Sequence, residues 1–257
     1  VWGRYWLQYM GSAGSVGIFI ERLVKSLTRY HVAVSPTTKA MLLDLGVEEP
    51  VAIVPNGVDI EKVRKVRPSP EGSDLICIAR LIPDKHVDVL IGAVALLKES
   101  IPSIRCTIVG RGPEEERLKA EVSSSGLDKN IRFTGFVRDQ DEILALLKAS
   151  RLCVLPSTRE GFGMVALEAL ACGVPVLTAD HPGNAIRDLA EIGGVRAVPL
   201  TEKDFAVEIR EILESRSPPL IPDIEGAWDW DAVSGLWLRM VEEFSRISEE
   251  RAAKGSL

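Results

Sequence analysis

Residues 164–172, Met-Val-Ala-Leu-Glu-Ala-Leu-Ala-Cys, form a continuous helix-favouring run whose only polar side chain is Glu168. The apolar run Leu152 to Leu155 ends at Pro156, and the helical run starts near Gly163, so this stretch predicts strand, loop, helix. A helix that is apolar on every face is normally buried, and a lone carboxylate within it is costly unless something pairs with it. Glu168 therefore requires a partner. At about 1.5 Å of rise per residue it lies roughly 8 Å beyond the helix start, whereas Glu160 lies just before it. The first N–H groups of the helix fall between the two carboxylates, with Gly161 and Gly163 in the approach, and this arrangement suits a phosphate. A single elongated ligand would satisfy all three features, with polar groups at Glu160 and Glu168 and phosphates at the helix start.

The rest of the chain supplies the setting. The segment LICIARL predicts a buried strand from about Asp74, followed by Arg80 and Lys85 and an amphipathic helix from Val87 to Lys98. Two cations beyond the C-terminal end of a parallel strand suit an anion, because open α/β sheets bind ligands outside those ends. Arginine supplies a two-pronged fork and lysine a point charge. RCTIVGRGPEEERL predicts a strand ending at Gly110 and a helix started by Pro113, although Gly-x-Gly by itself marks only another strand, loop and helix unit. IRFTGFV predicts a third strand, with Phe136 open to either a core or a ligand-facing place, and a helix follows from Asp141 to Ala149. Repetition of such units from 74 to 216 predicts an α/β fold, a mostly parallel Rossmann-like sheet with helices on both faces.

Upstream, VAVSPTTKAMLLDLGV and VAIVPNGVD predict strand, helix opening at Ser35-Pro36, a stop at Gly46, a second strand and a turn at Asn56-Gly57. Residues 1 to 30 crowd Trp2, Tyr5, Trp6 and Tyr9 together, and Arg4, Arg22, Lys25 and Arg29 against Glu21 make the stretch 4 − 1 = +3. It is either an interfacial anchor on a membrane or part of a domain core, and the helix-then-strand pattern favours the core. Near the C-terminus, Trp230, Val233, Trp237, Met240, Val241 and Phe244 predict the apolar stripe of a capped helix.

A formal net charge of −6 in 257 residues argues against a nucleic-acid partner. Cys77, Cys106, Cys153 and Cys172 are isolated in apolar surroundings, without metal-ligand spacing, and read as reduced core residues of a cytoplasmic protein. Asp139-x-Asp141 and Asp229-x-Asp231 each directly precede a helix and read as helix-start acids, so no metal or other cofactor is expected.

Glu160-x7-Glu168 within PSTREGFGMVALEALACGVPV resembles the signature of the retaining GT-B glycosyltransferases, a family that includes mannosyl- and glucosyltransferases and resembles glycogen synthase. The resemblance implies that Glu160 contacts a donor sugar and Glu168 the ribose of its nucleotide. Arg80 and Lys85 resemble the family's diphosphate clamp, with His86 where a glycine is common. Gly135-Phe136-Val137 resembles the segment whose backbone frames the base. Carried over in this way, the catalytic set is Arg80, Lys85 and Glu160. The donor-binding set is Gly110, Phe136, Val137, Gly161, Phe162, Gly163, Met164, Val165 and Glu168.

By the same resemblance, residues 1–57 are a remnant of an acceptor-binding N-terminal domain and crossover, and 58–229 are the nucleotide-sugar-binding domain, the C-terminal half of the fold. Residues 230–257 are a helix returning toward the N-terminal part. The expected chain is then a fragment, an engineered piece or a natural short form. Pro182-Gly183 only partly matches a Gly-Gly-x-x-Glu segment near the sugar, and His181 reads as a solvated loop residue. The implied reaction moves a hexose from a nucleoside diphosphate sugar, of GDP-mannose or UDP-glucose type, to a hydroxyl of a glycan or lipid-linked acceptor. Peripheral contact with the inner face of a membrane would accompany the lipid case. The rivals are a module that binds the sugar nucleotide without transferring it, and a sugar-nucleotide epimerase of the same architecture.

Overall fold

In a computed structural model, residues 3, 5–215, 224 and 226–254 are described. Trp2 and Arg4 of the aromatic, basic stretch lie outside them. The chain divides into two compact units, Val1–Gly57 with Gly226–Leu257, and Val58–Glu225.

The first unit opens with helices α1 (Tyr5–Met10) and α2 (Gly14–Leu27). Strand β1 (His31–Ala33), α3 (Pro36–Asp44) and β2 (Val51–Ile53) follow, with β1 and β2 paired in parallel. Helix α3 starts where Ser35 accepts from the Thr38 N–H at 3.0 Å, so the Ser-Pro signal defines its N-cap and first residue.

The second unit is a six-stranded parallel sheet with its helices. In order these are α4 (Ile60–Lys65), β3 (Ser73–Ile78), α5 (Val87–Lys98), β4 (Cys106–Val109), α6 (Glu115–Ser124) and β5 (Ile131–Gly135). They continue as α7 (Gln140–Lys148), β6 (Ser150–Leu155), α8 (Met164–Ala171), β7 (Val176–Ala179), β8 (Val195–Val198) and α9 (Glu202–Glu214). The strand order is β5-β4-β3-β6-β7-β8, every neighbouring pair parallel. The chain therefore reverses its winding between β3 and β6, and it is outside the C-terminal ends of two such strands that a crevice opens.

Alternation along the strands sets the two layers. Leu75, Cys77, Leu152, Val154 and Leu177 face the core shared with α5, α6 and α9, while α7 and α8 pack with β6 on the opposite face. Cys77, Cys106 and Cys153 are fully buried, and burial pushes the Cys77 thiol up to about 12, which keeps it protonated and unreactive.

The last helix, α10 (Trp230–Lys254), belongs to the first unit and is capped by Asp229, which accepts from the Ala232 N–H at 2.7 Å. Its buried stripe is Val233, Leu236, Met240 and Phe244, the last stacked on Tyr30 at 4.6 Å. The expected stripe is thus rotated, because Trp230, Trp237 and Val241 are about half exposed. The aromatic start is also only partly a core: Trp6 covers Gly14 and Gly17, but Phe19, Ile20, Val24 and Leu27 of α2 are exposed. A two-stranded sheet offers too little apolar surface to cover both α2 and α10. Among the described residues, no helix is long and apolar enough to cross a membrane.

Candidate functional site at the sheet crossover

Strand β3 delivers Arg80 and Lys85 to the C-terminal edge of the sheet, and β6 delivers the loop 156–163 and α8 beside them. Lys85 and Glu160, far apart in sequence, form an ion pair of 2.5 Å with side chains only 16% and 20% exposed. Lys85 also donates to the Arg159 carbonyl at 3.4 Å. Arg80, in contrast, is exposed and has no carboxylate partner among the described residues. The two cations are thus unequal: one charge is already balanced by the protein, the other faces solvent.

Glu160 is held by its backbone. Its N–H donates to the Gly183 carbonyl at 3.0 Å, and its carbonyl accepts from the Ala185 N–H at 3.1 Å. Behind it Asn184 is fully buried and donates to the Thr178 hydroxyl and the Ala179 carbonyl, both at 2.8 Å. This scaffold was not expected from sequence; its trace there is an asparagine two residues after Pro182, in the loop that departs from the family pattern.

Helix α8 begins at Met164 with Gly163 as its N-cap in the left-handed region, φ 95°. A Cβ there would stand 2.4 Å from Ile186 Cγ1, so glycine is required both by φ and by space. The first N–H groups of α8 have no acceptor within the helix and point along its axis, as expected of an anion site. Gly161 is exposed and Met164 and Val165 are half-buried, whereas Phe162 is 6% exposed, its ring covered by the protein.

Among the described residues Glu168 has no cation in contact. Its partner is Gln140, the first residue of α7, which donates to a Glu168 carboxylate oxygen at 3.1 Å, while Lys62 donates to the Gln140 oxygen at 3.4 Å and pairs with Asp141 at 2.9 Å. Burial holds the Glu168 carboxyl above its usual range, opposed by the Gln140 bond and the Lys62 charge. Gln140 was missed in the sequence, where it reads as an ordinary residue after the Asp139 cap.

Gly110, φ 137°, lies so close to β3 that a Cβ would be 1.9 Å from the Ala79 carbonyl oxygen. Phe136 is 68% exposed, which removes the core alternative, and Val137 beside it is half-buried. His86 takes up φ 44°, ψ 44°, and its Nε2 lies 3.1 Å from the Thr158 hydroxyl, tying the Lys85 loop to the Glu160 loop. His181 Nδ1 accepts from the Gly183 N–H at 3.1 Å, so its ring belongs to the loop that supports Glu160. Asp139 accepts from the Asp141 N–H at 3.0 Å at the start of α7, as a helix-start acid does. A separate cavity of about 410 Å³, lined by Ser73, Arg105, Asn130 and Arg132 among others, opens at the N-terminal edge of the strands, away from both carboxylates.

Parallel strands wound in this order, with an exposed arginine, a helix N-terminus and two carboxylates at the crossover, define a doubly wound domain with a crevice suited to an anion. The family model described as glycosyl transferases group 1 matches residues 59–221, and the chain belongs to that family. It is 29% identical over 194 residues to a glycogen synthase of Mycobacterium tuberculosis, an overlap of 72% of this chain and 46% of the relative. It is 33% identical over 135 residues to a GDP-mannose-dependent alpha-(1-6)-phosphatidylinositol dimannoside mannosyltransferase of the same species, covering 49% of this chain and 34% of the relative. The chain thus spans about half, or less, of the length of these curated relatives. Among solved structures, sucrose-phosphate synthase of Thermosynechococcus elongatus superposes with a TM-score of 0.72 at 21% identity, over 90% of this chain and 61% of that one. Anabaena HepE in complex with UDP and glucose gives 0.66 at 23%, over 83% and 62%. At these identities the superpositions show the shared GT-B fold.

Proposed function

We propose that the chain is the donor-binding part of a retaining glycosyltransferase that moves a hexose from a nucleoside diphosphate sugar to a hydroxyl of a glycan or lipid-linked acceptor. The observation that carries the proposal is the joining of Arg80, the Lys85–Glu160 pair and the α8 N-terminus at the point where the sheet reverses its winding. In this reading the base lies along Phe136-Val137, beside Gly110, and the ribose hydroxyls replace solvent at Glu168. The diphosphate meets the amides of 161–165 together with Arg80 and Lys85, and Glu160 turns to the sugar. Charge developing on the departing diphosphate is met by groups already in place, usually the largest single contribution to catalysis. The departing phosphate oxygen is well placed to take the acceptor's proton on the face it has just left, which is how configuration is retained in the family the chain resembles. In this reading residues 1–57 belong to the acceptor side, 58–229 form the donor domain and 230–257 the returning helix.

The test is calorimetric titration with UDP- and GDP-sugars, followed by transfer assays with glycan and lipid-linked acceptors. Saturable binding that Glu168→Ala weakens by about 1.5–3 kcal/mol is expected, the range for hydrogen bonds to a charged group. Binding without transfer points to the non-catalytic module, and an epimerised free sugar nucleotide to the epimerase. A folded chain that binds none of these donors overturns the proposal.

A further inference from the structure

Resting on the donor reading above, we infer that Arg111 is a second guanidinium of the diphosphate site, acting beside Arg80. The register of β3 and β4 pairs Ile78 with Val109. The ladder then continues past both strand ends, since the Ala79 N–H donates to the Val109 carbonyl at 3.0 Å and the Leu81 N–H to the Arg111 carbonyl at 2.9 Å. Those two bonds pair Ala79 with Gly110 and Leu81 with Gly112, and so place Arg80 and Arg111 side by side on neighbouring strands, about 4.8 Å apart at the backbone. Like charges on directly neighbouring positions repel, and such a pair is tolerated more readily where an anion is to be bound between them.

No described residue neutralises them. Both are exposed, and neither has a carboxylate or hydrogen-bond partner for its side chain among the described residues, although cations elsewhere in the unit, such as Arg117, Arg187 and Arg196, are ion-paired.

Access is built in as well. The Arg111 guanidinium lies over Gly135, with Nε 3.3 Å and an Nη 3.5 Å from where a Cβ would stand, so the missing side chain leaves it a resting place from which it can turn. Gly110 and Gly112 on either side let the loop approach β3, a Cβ at Gly112 falling 2.0 Å from the Leu81 carbonyl oxygen. Arg138, also exposed, follows β5 one strand further out and lacks this register with Arg80.

The experiment compares wild type, Arg111→Gln, Arg111→Lys and Arg80→Gln by calorimetry. The ligands are inorganic pyrophosphate and the nucleoside, nucleoside monophosphate and nucleoside diphosphate of both uridine and guanosine, at several salt concentrations. Because Arg111 is exposed and unpaired, its variants should keep the wild-type unfolding midpoint. Arg111→Gln is expected to weaken the diphosphate and pyrophosphate on the order of 10- to 100-fold while leaving the nucleoside within about 2-fold. It should also flatten the salt dependence, and Arg111→Lys should restore part of the loss. An equal loss for the nucleoside would make Arg111 a base contact and overturn the inference, as would no loss at all. Wild-type binding with unaffected Arg111 variants leaves the donor reading standing. A wild-type chain that binds none of the probes removes both.

Discussion

Separating Lys85 from Glu160 is the perturbation for which the structure gives the clearest magnitude. At 2.5 Å and an effective dielectric constant of about 20, the Coulomb attraction is roughly 6–7 kcal/mol. Taking the two ions out of water costs several kcal/mol each, which consumes most of that gain. The pair is therefore close to neutral as a whole and expensive to halve. Removing one partner of a fully buried pair costs about 3–5 kcal/mol, and since each side chain keeps up to a fifth of its exposure, about 2–3 kcal/mol is expected for Lys85→Met or Glu160→Leu alone. The double variant, which leaves no orphaned charge, should cost only about 1–2 kcal/mol, a coupling of about 3 kcal/mol. The assay is urea unfolding of all four chains. Tryptophan fluorescence is the wrong probe, because the five tryptophans fall at positions 2, 6, 228, 230 and 237, outside residues 58–225. Far-UV circular dichroism, dominated by the larger unit, is the right one. A coupling below about 1 kcal/mol would refute the argument, since it would mean that solvent screens the contact as it does a surface pair.

Two further outcomes follow from the same crevice. Because burial raises the Glu168 pKa above its ordinary value of 4.5, the folded chain keeps that proton to a higher pH than the unfolded chain does. The stabilising contribution of this group is thus present below the ordinary value and is lost as pH rises through the raised one. Glu168→Gln should accordingly be more stable than wild type at neutral pH, with the difference vanishing on acidification, in denaturation curves taken across that window, while its affinity for nucleotide falls. Gly163→Ala, with φ 95° and a Cβ 2.4 Å from Ile186 Cγ1, should lower the unfolding free energy by about 2–3 kcal/mol and weaken donor binding, measured by urea unfolding and calorimetry.

What could be seen in the sequence, and what could not, divides along the range of the interactions. The α/β repeat, the helix of Val87 to Lys98, the Ser35 cap and the strand, loop and helix around Glu160 all rest on local signals, namely period, caps and glycines, and the structure has them. Boundaries moved by a residue or two where the last turn depends on packing: α7 runs from Gln140 to Lys148, and β6 begins at Ser150. The partners were not legible. Glu168 needed one, but that it would be Gln140 depends on α7 and α8 lying together, which no local pattern encodes. The stripe on α10 was read from helical period alone, which gives a face but not which side of that face meets β1 and β2.

His86 shows how such a long-range effect stabilises a local exception. A left-handed backbone at a non-glycine residue costs about 1–2 kcal/mol, and the histidine stands where glycine would carry no such cost. The ring hydrogen-bonds across 72 positions to Thr158, whose N–H donates to the Asp84 carbonyl at 3.0 Å. Two links therefore fasten the Lys85 loop to the Glu160 loop, one of them unavailable to glycine. An ion pair of 2.5 Å between groups on separate loops demands that both loops be fixed, since the attraction falls as either moves. The cost at His86 and the short Lys85–Glu160 contact thus belong to one arrangement: the histidine restrains the loops that hold the pair, and the pair keeps Lys85 neutralised but positioned until a stronger anion competes for it.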